Sequence, residues 1–444
     1  MSANLKAAPD DVGVTAIERL ASRSREQPVW LRVGQLVDGQ CNLPRSEANV
    51  VFDATQIYEV ATDGARPTTD HLAPGQRNPD VDLPNFTLLP CLIEAHSHMF
   101  LQGAPVAWEE RKQYSKLPAD VQLNRARTRW PALLQFGVGT VRDAGDKDGI
   151  GLALAAEAKM RLGEVATTPW IDSPGAALHH RGRYGAFMGE PIEDYASPAD
   201  CVAARVRAGA DRIKLIVSGI IDFRAGNVTS TPQMPTSEVA AAVAAAAQHG
   251  RQTFAHASGA AGVENSIEGG VTTIEHGFFV THQQLARMRD REIAWVPTFA
   301  PVQAQIDNAD ELGWNAEVVD QLERILDGHR LMLGLAQAMG VPVLAGSDAG
   351  SCGVPHGIGL LRELCHMERA GMPAMAVLQS ATGTSAATLA FAEPVGRVAP
   401  GCRSRLILTR HDPLETVANL QKEKMVVFDG TAVFCNGTVD AVNL

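Results

Sequence analysis

The fold class read from this sequence is α/β, with a closed parallel (β/α)8 barrel in the middle of the chain and β-sheet at both ends. Three observations predict it. Between about 84 and 394, eight strand-length apolar runs alternate with Ala-rich helical stretches. Runs that are apolar throughout describe strands covered on both faces, as in a parallel sheet wrapped by helices. The two ends instead carry short β-like runs punctuated by Gly, Asn, Asp and Pro, the texture of a small antiparallel sheet. Finally, 444 residues suffice for one large barrel plus a smaller domain.

Residues 1–28 are polar and weakly helical and read as an N-terminal arm. Runs at Val29–Val33, Val50–Phe52 and Ile57–Val60 open the terminal sheet. Runs at Arg405–Thr409, Met425–Phe428 and Ala432–Phe434 return to it, with the turn Asp429-Gly430 before the last. The expected organisation is therefore an arm over 1–28, a sheet domain from 29–83 plus 395–444, and a barrel over 84–394. The barrel strands are expected at Thr87–Ala95, Gly139–Asp143, Trp170–Ser173, Arg212–Ser218, Gln252–His256, Thr272–His276, Ile293–Thr298 and Val343–Asp348. Helices are expected at Gly151–Leu162, Ser237–His249, Ser258–Glu268, Gln283–Arg289, Ala316–Met339 and Met375–Ala390. A doubly wound open sheet is disfavoured because no Gly-rich phosphate turn follows the first strand.

Charge and composition exclude several partners. Lys and Arg number 39 against 50 Asp and Glu, a net charge of -11. No global basic footprint for nucleic acid exists. No stretch approaches the roughly 20 apolar residues that span a bilayer, so no membrane association is expected. Residues 1–28 lack the apolar core of a secretory leader. The seven cysteines are scattered, odd in number and without a CxxC pair, which points to a reducing, cytoplasmic setting.

Chemistry in a parallel barrel collects where strands end. The first strand ends in Glu94-Ala95-His96-Ser97-His98. Residues two apart on a strand share a face, so both imidazoles enter the barrel mouth and suit a divalent cation such as zinc. The fourth strand carries Lys214 between apolar neighbours. A desolvated lysine exposes a free amine. That amine can combine with carbon dioxide into a carbamate, a two-oxygen ligand able to bridge two metals. The fifth strand ends at His256, the sixth at His276, and the eighth at Asp348. Singly, each has an ordinary role: a hydrogen-bonded core histidine, a snorkelling lysine, an Asp N-cap. Four histidines, a lysine and an aspartate in this strand order are far more specific.

With these residues in place the chain resembles the amidohydrolase superfamily. Leu89-Pro90-Cys91-Leu92-Ile93-Glu94-Ala95-His96-Ser97-His98 is similar to that family's first-strand phrase, departing at Cys91 (usually Gly) and Glu94 (usually Asp). Gly396–Gly401 also fits, whereas Ser404-Arg405-Leu406 departs from the phrase that follows it. The likeness covers nearly everything after residue 28. It implies a (β/α)8 TIM barrel with a β-sandwich domain built from both termini, and the binuclear branch that includes dipeptidase- and prolidase-like members. Single-metal deaminases of the superfamily carry Glu three residues after the fifth-strand His, where this chain has Gly259.

The resemblance further implies that His96, His98 and Asp348 hold the more buried of two divalent ions, most simply zinc, and that His256 and His276 hold the other. Lys214, carboxylated by carbon dioxide on its Nζ, and a hydroxide would bridge them. Asp348 would take the proton from the attacking hydroxide and pass it to the leaving amine. The implied reaction is hydrolysis of a C–N amide bond in a small substrate (an N-acyl amino acid, dipeptide or cyclic amide) rather than endoproteolysis. Lactone, ester or organophosphorus ester hydrolysis on the same centre, and a non-catalytic barrel, are the alternatives. For substrate contacts, the loop His179-His180-Arg181-Gly182-Arg183-Tyr184-Gly185 offers His180 and Tyr184, with His179 and Arg183, and His356 follows the eighth strand. The long loop from Ile221 to Pro235 is a candidate lid. A homo-oligomer is compatible with the sequence.

Overall fold

The computed structural model describes residues 9–68, 70–161 and 168–437. Its strands begin with β1 (Val29–Leu36), β2 (Arg45–Phe52), β3 (Ile57–Ala61) and β4 (Val81–Pro90). The middle of the chain forms β5 (Leu92–Ser97), β6 (Val138–Asp143), β7 (Trp170–Asp172), β8 (Ile213–Ile216), β9 (Thr253–Ala257), β10 (Thr273–His276) and β11 (Ala294–Val296). The C-terminal part adds β12 (Arg405–Thr409), β13 (Glu423–Phe428) and β14 (Thr431–Asn436).

Both chain ends share one seven-stranded sheet in the order β14-β13-β12-β4-β1-β2-β3. The join is β12 against β4, with Ile407 opposite Leu89. One pair departs from the antiparallel expectation: β1 and β4 run parallel, because the connection after β3 carries the chain back to the starting end of β1, where Val81 pairs with Leu31. Alternation along the strands divides two cores. Leu406, Leu408, Met425 and Val427 pack with Leu31, Val33 and Phe52 inside the sheet domain. The intervening Ile407, Val426 and Phe428 join Leu92 and Val138 of the central core.

Two expectations change here. The expected arm contains a helix, α1 (Pro9–Arg23), and it is docked. Its Ile17, Leu20 and Ala21 recur at the spacing of one helix face and are buried in the sheet-domain core. The expected first barrel strand, Thr87–Ala95, is two strands in two sheets, with the chain crossing from β4 to β5 at Cys91. An apolar run cannot mark that crossing, because both segments are equally buried.

The central strands form two parallel arcs, β5-β6-β7 and β8-β9-β10-β11. Isolated bridges link them: Leu178 with Leu215 on one side, and Trp295 with Val343 and Ser97 with Ala349 on the other. The eighth expected strand, Val343–Asp348, thus makes bridges rather than a continuous ladder. Its backbone is still held from both sides, by Leu344 N–H to the Trp295 carbonyl (2.9 Å) and Ala95 N–H to the Ala345 carbonyl (2.9 Å). Helices Ile150–Met160, Thr236–Gln248, Ala260–Gly269, His282–Asp290 and Ala316–Met339 lie where the pattern put them. The expected helix Met375–Ala390 is split into Ala374–Ser380 and Gly383–Leu389. The break lets the backbone at Gly383 press on the Gly39 carbonyl, where a Cβ would sit 1.7 Å from that oxygen.

Candidate active site

The ends of β5, β8, β9 and β10 and the segment after Val343 converge on one cavity of about 310 Å³. His98, Lys214, His256, His276 and Asp348 all line it. His96 lies immediately beneath: its ring centroid is 5.0 Å from that of His276 and 5.7 Å from that of His98. His256 and His276 are 4.6 Å apart by the same measure. All six residues singled out on the barrel strands therefore sit together.

Hydrogen bonds decide which nitrogens face the cluster. A carbonyl or carboxylate only accepts, so a ring nitrogen bonded to one carries the proton. His98 Nδ1 donates to the Gly145 carbonyl (3.3 Å) and His256 Nε2 to the Gly219 carbonyl (3.3 Å). His96 Nδ1 donates to Glu275 Oε2 at 2.5 Å. Lone pairs remain on Nε2 of His96 and His98 and on Nδ1 of His256. His276 Nδ1 is fixed by the Thr298 hydroxyl (2.8 Å).

The donor set passes a test for a cation. His96 Nε2 and Asp348 Oδ1 are both buried without any hydrogen-bond partner among the described residues. Asp348 Oδ1 lies 3.7 Å from His96 Nε2 and 3.5 Å from His98 Nε2, and the ligand atoms of this trio all fall within 4.8 Å of one another. Orphaned buried polar atoms are costly, and a shared cation is the simplest partner for two lone pairs and a carboxylate. Burial, followed by the neighbouring Lys214 charge, pushes His98 and His256 down to about 3. Burial likewise holds His96 and His276 well below the usual histidine range. Neutral imidazole is the form a metal needs. Burial also lowers the Lys214 ammonium and raises the Asp348 carboxyl.

Two buried charges not singled out in the sequence anchor the cluster from below. Glu275, on β10, also accepts from Arg142 Nη2 (2.8 Å), and Arg142 Nε donates to the Ala95 carbonyl (2.6 Å). The carboxylate thus fixes the tautomer and orientation of His96. The signal was present: Glu275 and Arg142 are opposite charges inside expected barrel strands, and such residues are rarely buried unpaired. His276 (φ 66°) and Asp348 (φ 56°) occupy the left-handed region, which turns both side chains at their strand ends and costs roughly 1–3 kcal/mol each. At Gly259 φ is +76°, so the Glu of the deaminase pattern would be strained there.

The expected substrate contacts fare differently. Tyr184 lines the cavity, its ring 5.1 Å from that of His256. His180 does not: Nδ1 is bonded to Glu193 and Nε2 to Glu238, each at 2.7 Å. Two carboxylates satisfy both ring nitrogens and turn them from the cavity. His179 is buried against the Gly189 carbonyl (2.9 Å). Arg183 lines an adjoining hollow with Thr229 and Ser230 and donates to the Thr231 carbonyl (2.5 Å). His356 is packed away, bonded to Ser97 Oγ (3.1 Å) and the Leu101 carbonyl (2.9 Å). From the loop proposed as a lid, Ile221 and Phe223 reach the cavity. The cavity also contains Arg111, which no motif marked.

The amidohydrolase family model matches residues 87–437. The chain belongs to the amidohydrolase family. It is a hydrolase acting on carbon–nitrogen bonds. Ochratoxinase of Aspergillus niger is 26% identical over 346 residues, 71% of this chain and 69% of that protein. An uncharacterized Mycobacterium tuberculosis protein is 26% identical over 348 residues, 77% of this chain and 84% of that one. Among solved structures, a Xaa-Pro dipeptidase with methionine in its active site matches at TM-score 0.75 and 25% identity, over 92% of this chain and 100% of that one. The structure of A. niger ochratoxinase matches at 0.73 and 22% identity, over 94% and 98%, a likeness of fold. No helix among the described residues is long and apolar enough to cross a membrane.

Proposed function

We propose that this amidohydrolase cleaves the amide bond of a small substrate, an N-acyl amino acid or dipeptide, with two divalent cations held by His96, His98, Lys214, His256, His276 and Asp348. The observation that carries the reading is the pair of orphaned buried atoms, His96 Nε2 and Asp348 Oδ1, facing three further imidazoles and a lysine. In this reading the two arcs and the bridged eighth segment act as one closed barrel over 84–394, with the terminal sheet folded as a β-sandwich. The likeness to ochratoxinase and a Xaa-Pro dipeptidase supports the amide substrate. All seven cysteines are free, which supports a reducing cytoplasm.

When bound, two such cations, most simply zinc, supply a Lewis acid for the scissile carbonyl and lower the pKa of water. Lys214 joins the ligand set as its carbamate: the neutral amine adds to carbon dioxide, forming an N–C bond and releasing one proton. Asp348, raised by burial, accepts the proton of the attacking water and returns it to the leaving nitrogen. Tyr184 presents a hydroxyl with no protein partner among the described residues to the substrate carbonyl. Leu101, Phe187, Phe223, Phe278 and Val302 give the acyl or side-chain group an apolar wall.

The test is metal analysis coupled to a substrate panel. Purified protein reconstituted with zinc and bicarbonate should hold close to two equivalents per chain and hydrolyse N-acyl amino acids or dipeptides ahead of lactones and phosphotriesters. Lys214→Ala should lose one equivalent. Failure to load metal, or turnover confined to esters, would overturn the reading.

A further inference from the structure

Arg111 lies on the helix Trp108–Tyr114, after β5, and lines the cavity beside His98, Asp348, Ser351 and Cys352. Its Nη1 donates to the Pro105 carbonyl (3.2 Å) and its Nη2 to the Gly350 carbonyl (3.0 Å). Both acceptors are neutral. A guanidinium carries five N–H donors, so these two bonds orient the fork and leave donors for the cavity. No carboxylate of the described residues forms an ion pair with it, although burial opposes its charge. Asp348 favours that charge electrostatically without forming an ion pair with it, so the guanidinium keeps donors free for an anionic ligand in the cavity.

The position of that charge is also informative. Gly350 follows Asp348 by two residues, so the fork is tied to the chain that carries the proposed proton acceptor. The Cα atoms of those two residues are at most about 7 Å apart. Lys214, the other cation of the lining, points into the imidazole cluster and is spent as a ligand.

We propose that Arg111 is the specificity-determining residue that grips a free substrate carboxylate. On the amide-hydrolase reading above, this makes the preferred substrates acylated amino acids with an apolar side chain. The carboxylate next to the scissile nitrogen meets the fork, and the apolar side chain meets the wall of Leu101, Phe223 and Phe278. Charge-assisted, two-point contacts of this kind discriminate strongly against an uncharged analogue.

The test uses the metal-loaded enzyme, Arg111→Met and Arg111→Lys, with N-acetyl-L-phenylalanine and N-(2-phenylethyl)acetamide, the same molecule without its carboxylate. Wild type should prefer the acid by about 10- to 100-fold in kcat/KM, chiefly through KM. That preference should collapse toward parity in Arg111→Met and fall partway in Arg111→Lys. Calorimetric binding of L-phenylalanine against 2-phenylethylamine provides a readout that needs no turnover. Arg111-dependent binding of the acid without hydrolysis would keep Arg111 in its role and remove the amide reading. Hydrolysis with a preference unmoved in both variants would do the reverse. Should Arg111→Met not fold, the Arg111→Lys ratio decides, and a wild-type preference there would overturn the proposal.

Discussion

At the scale of single residues, the informative contrast is between His96 and His180. Each has a carboxylate against Nδ1, but only His96 keeps its other nitrogen unpaired and buried. Glu275 is therefore expected to act through His96 as a positioning residue. Glu275→Gln should weaken zinc binding by about 10- to 100-fold, measured by titration against a competing chelator. A wild-type affinity would show that His96 needs no orienting partner. Asp348 has a separable role. Asp348→Asn keeps an oxygen donor, so metal content should largely persist while kcat falls by about 100-fold or more. Near-normal turnover would remove the proton-transfer role. The strand-end identities were legible because histidines and a lysine in apolar runs are unusual. Arg111 was not, because one arginine within Glu109-Glu110-Arg111-Lys112 is indistinguishable from a solvated helix face.

At the scale of elements, the segment 179–185 is a strap whose shape depends on His180. That side chain ties the loop to Glu193 and to Glu238 of helix Thr236–Gln248. Burial alone would lower its pKa, but the hydrogen bonds and charges of Glu238 and Glu193 outweigh it and raise the value above 6.5. A raised histidine stabilises the fold fully below its unfolded pKa and loses that contribution as pH rises through the folded one. Comparing His180→Gln with wild type by chemical denaturation, the stability gap should be widest below about pH 6.5 and shrink as pH rises through the raised folded value. A gap independent of pH would mean that His180 stays neutral. The same clamp explains why this histidine is absent from the cavity: a loop rich in donors says nothing about which acidic residues will capture them.

At the scale of the molecule, the candidate metal ligands come from segments up to 252 residues apart, the separation of the bridged pair Ser97 and Ala349. Ions that bind only this assembled state should stabilise the whole fold. Prolonged chelation should lower Tm, and added zinc should restore it in a concentration-dependent way, more completely with bicarbonate present. A melting temperature indifferent to chelator would argue that the cluster holds no structural cation. The seven-stranded sheet belongs to this scale too, since Ile407, Val426 and Phe428 complete the central core from the last part of the chain.

What the sequence determined by itself was the alternation of apolar strands and helices, the sheet character of both ends, and six chemically unusual side chains at strand ends. These depend on local periodicity and on residue type, which the linear order records. Only the tertiary structure decided that α1 docks, that the run from Thr87 to Ala95 serves two sheets, that His180 is claimed by two glutamates, and that Arg111 faces the cavity. Each depends on which partner arrives from far along the chain, and burial among such partners, not composition, sets whether a charged group is solvated, paired or left facing a ligand.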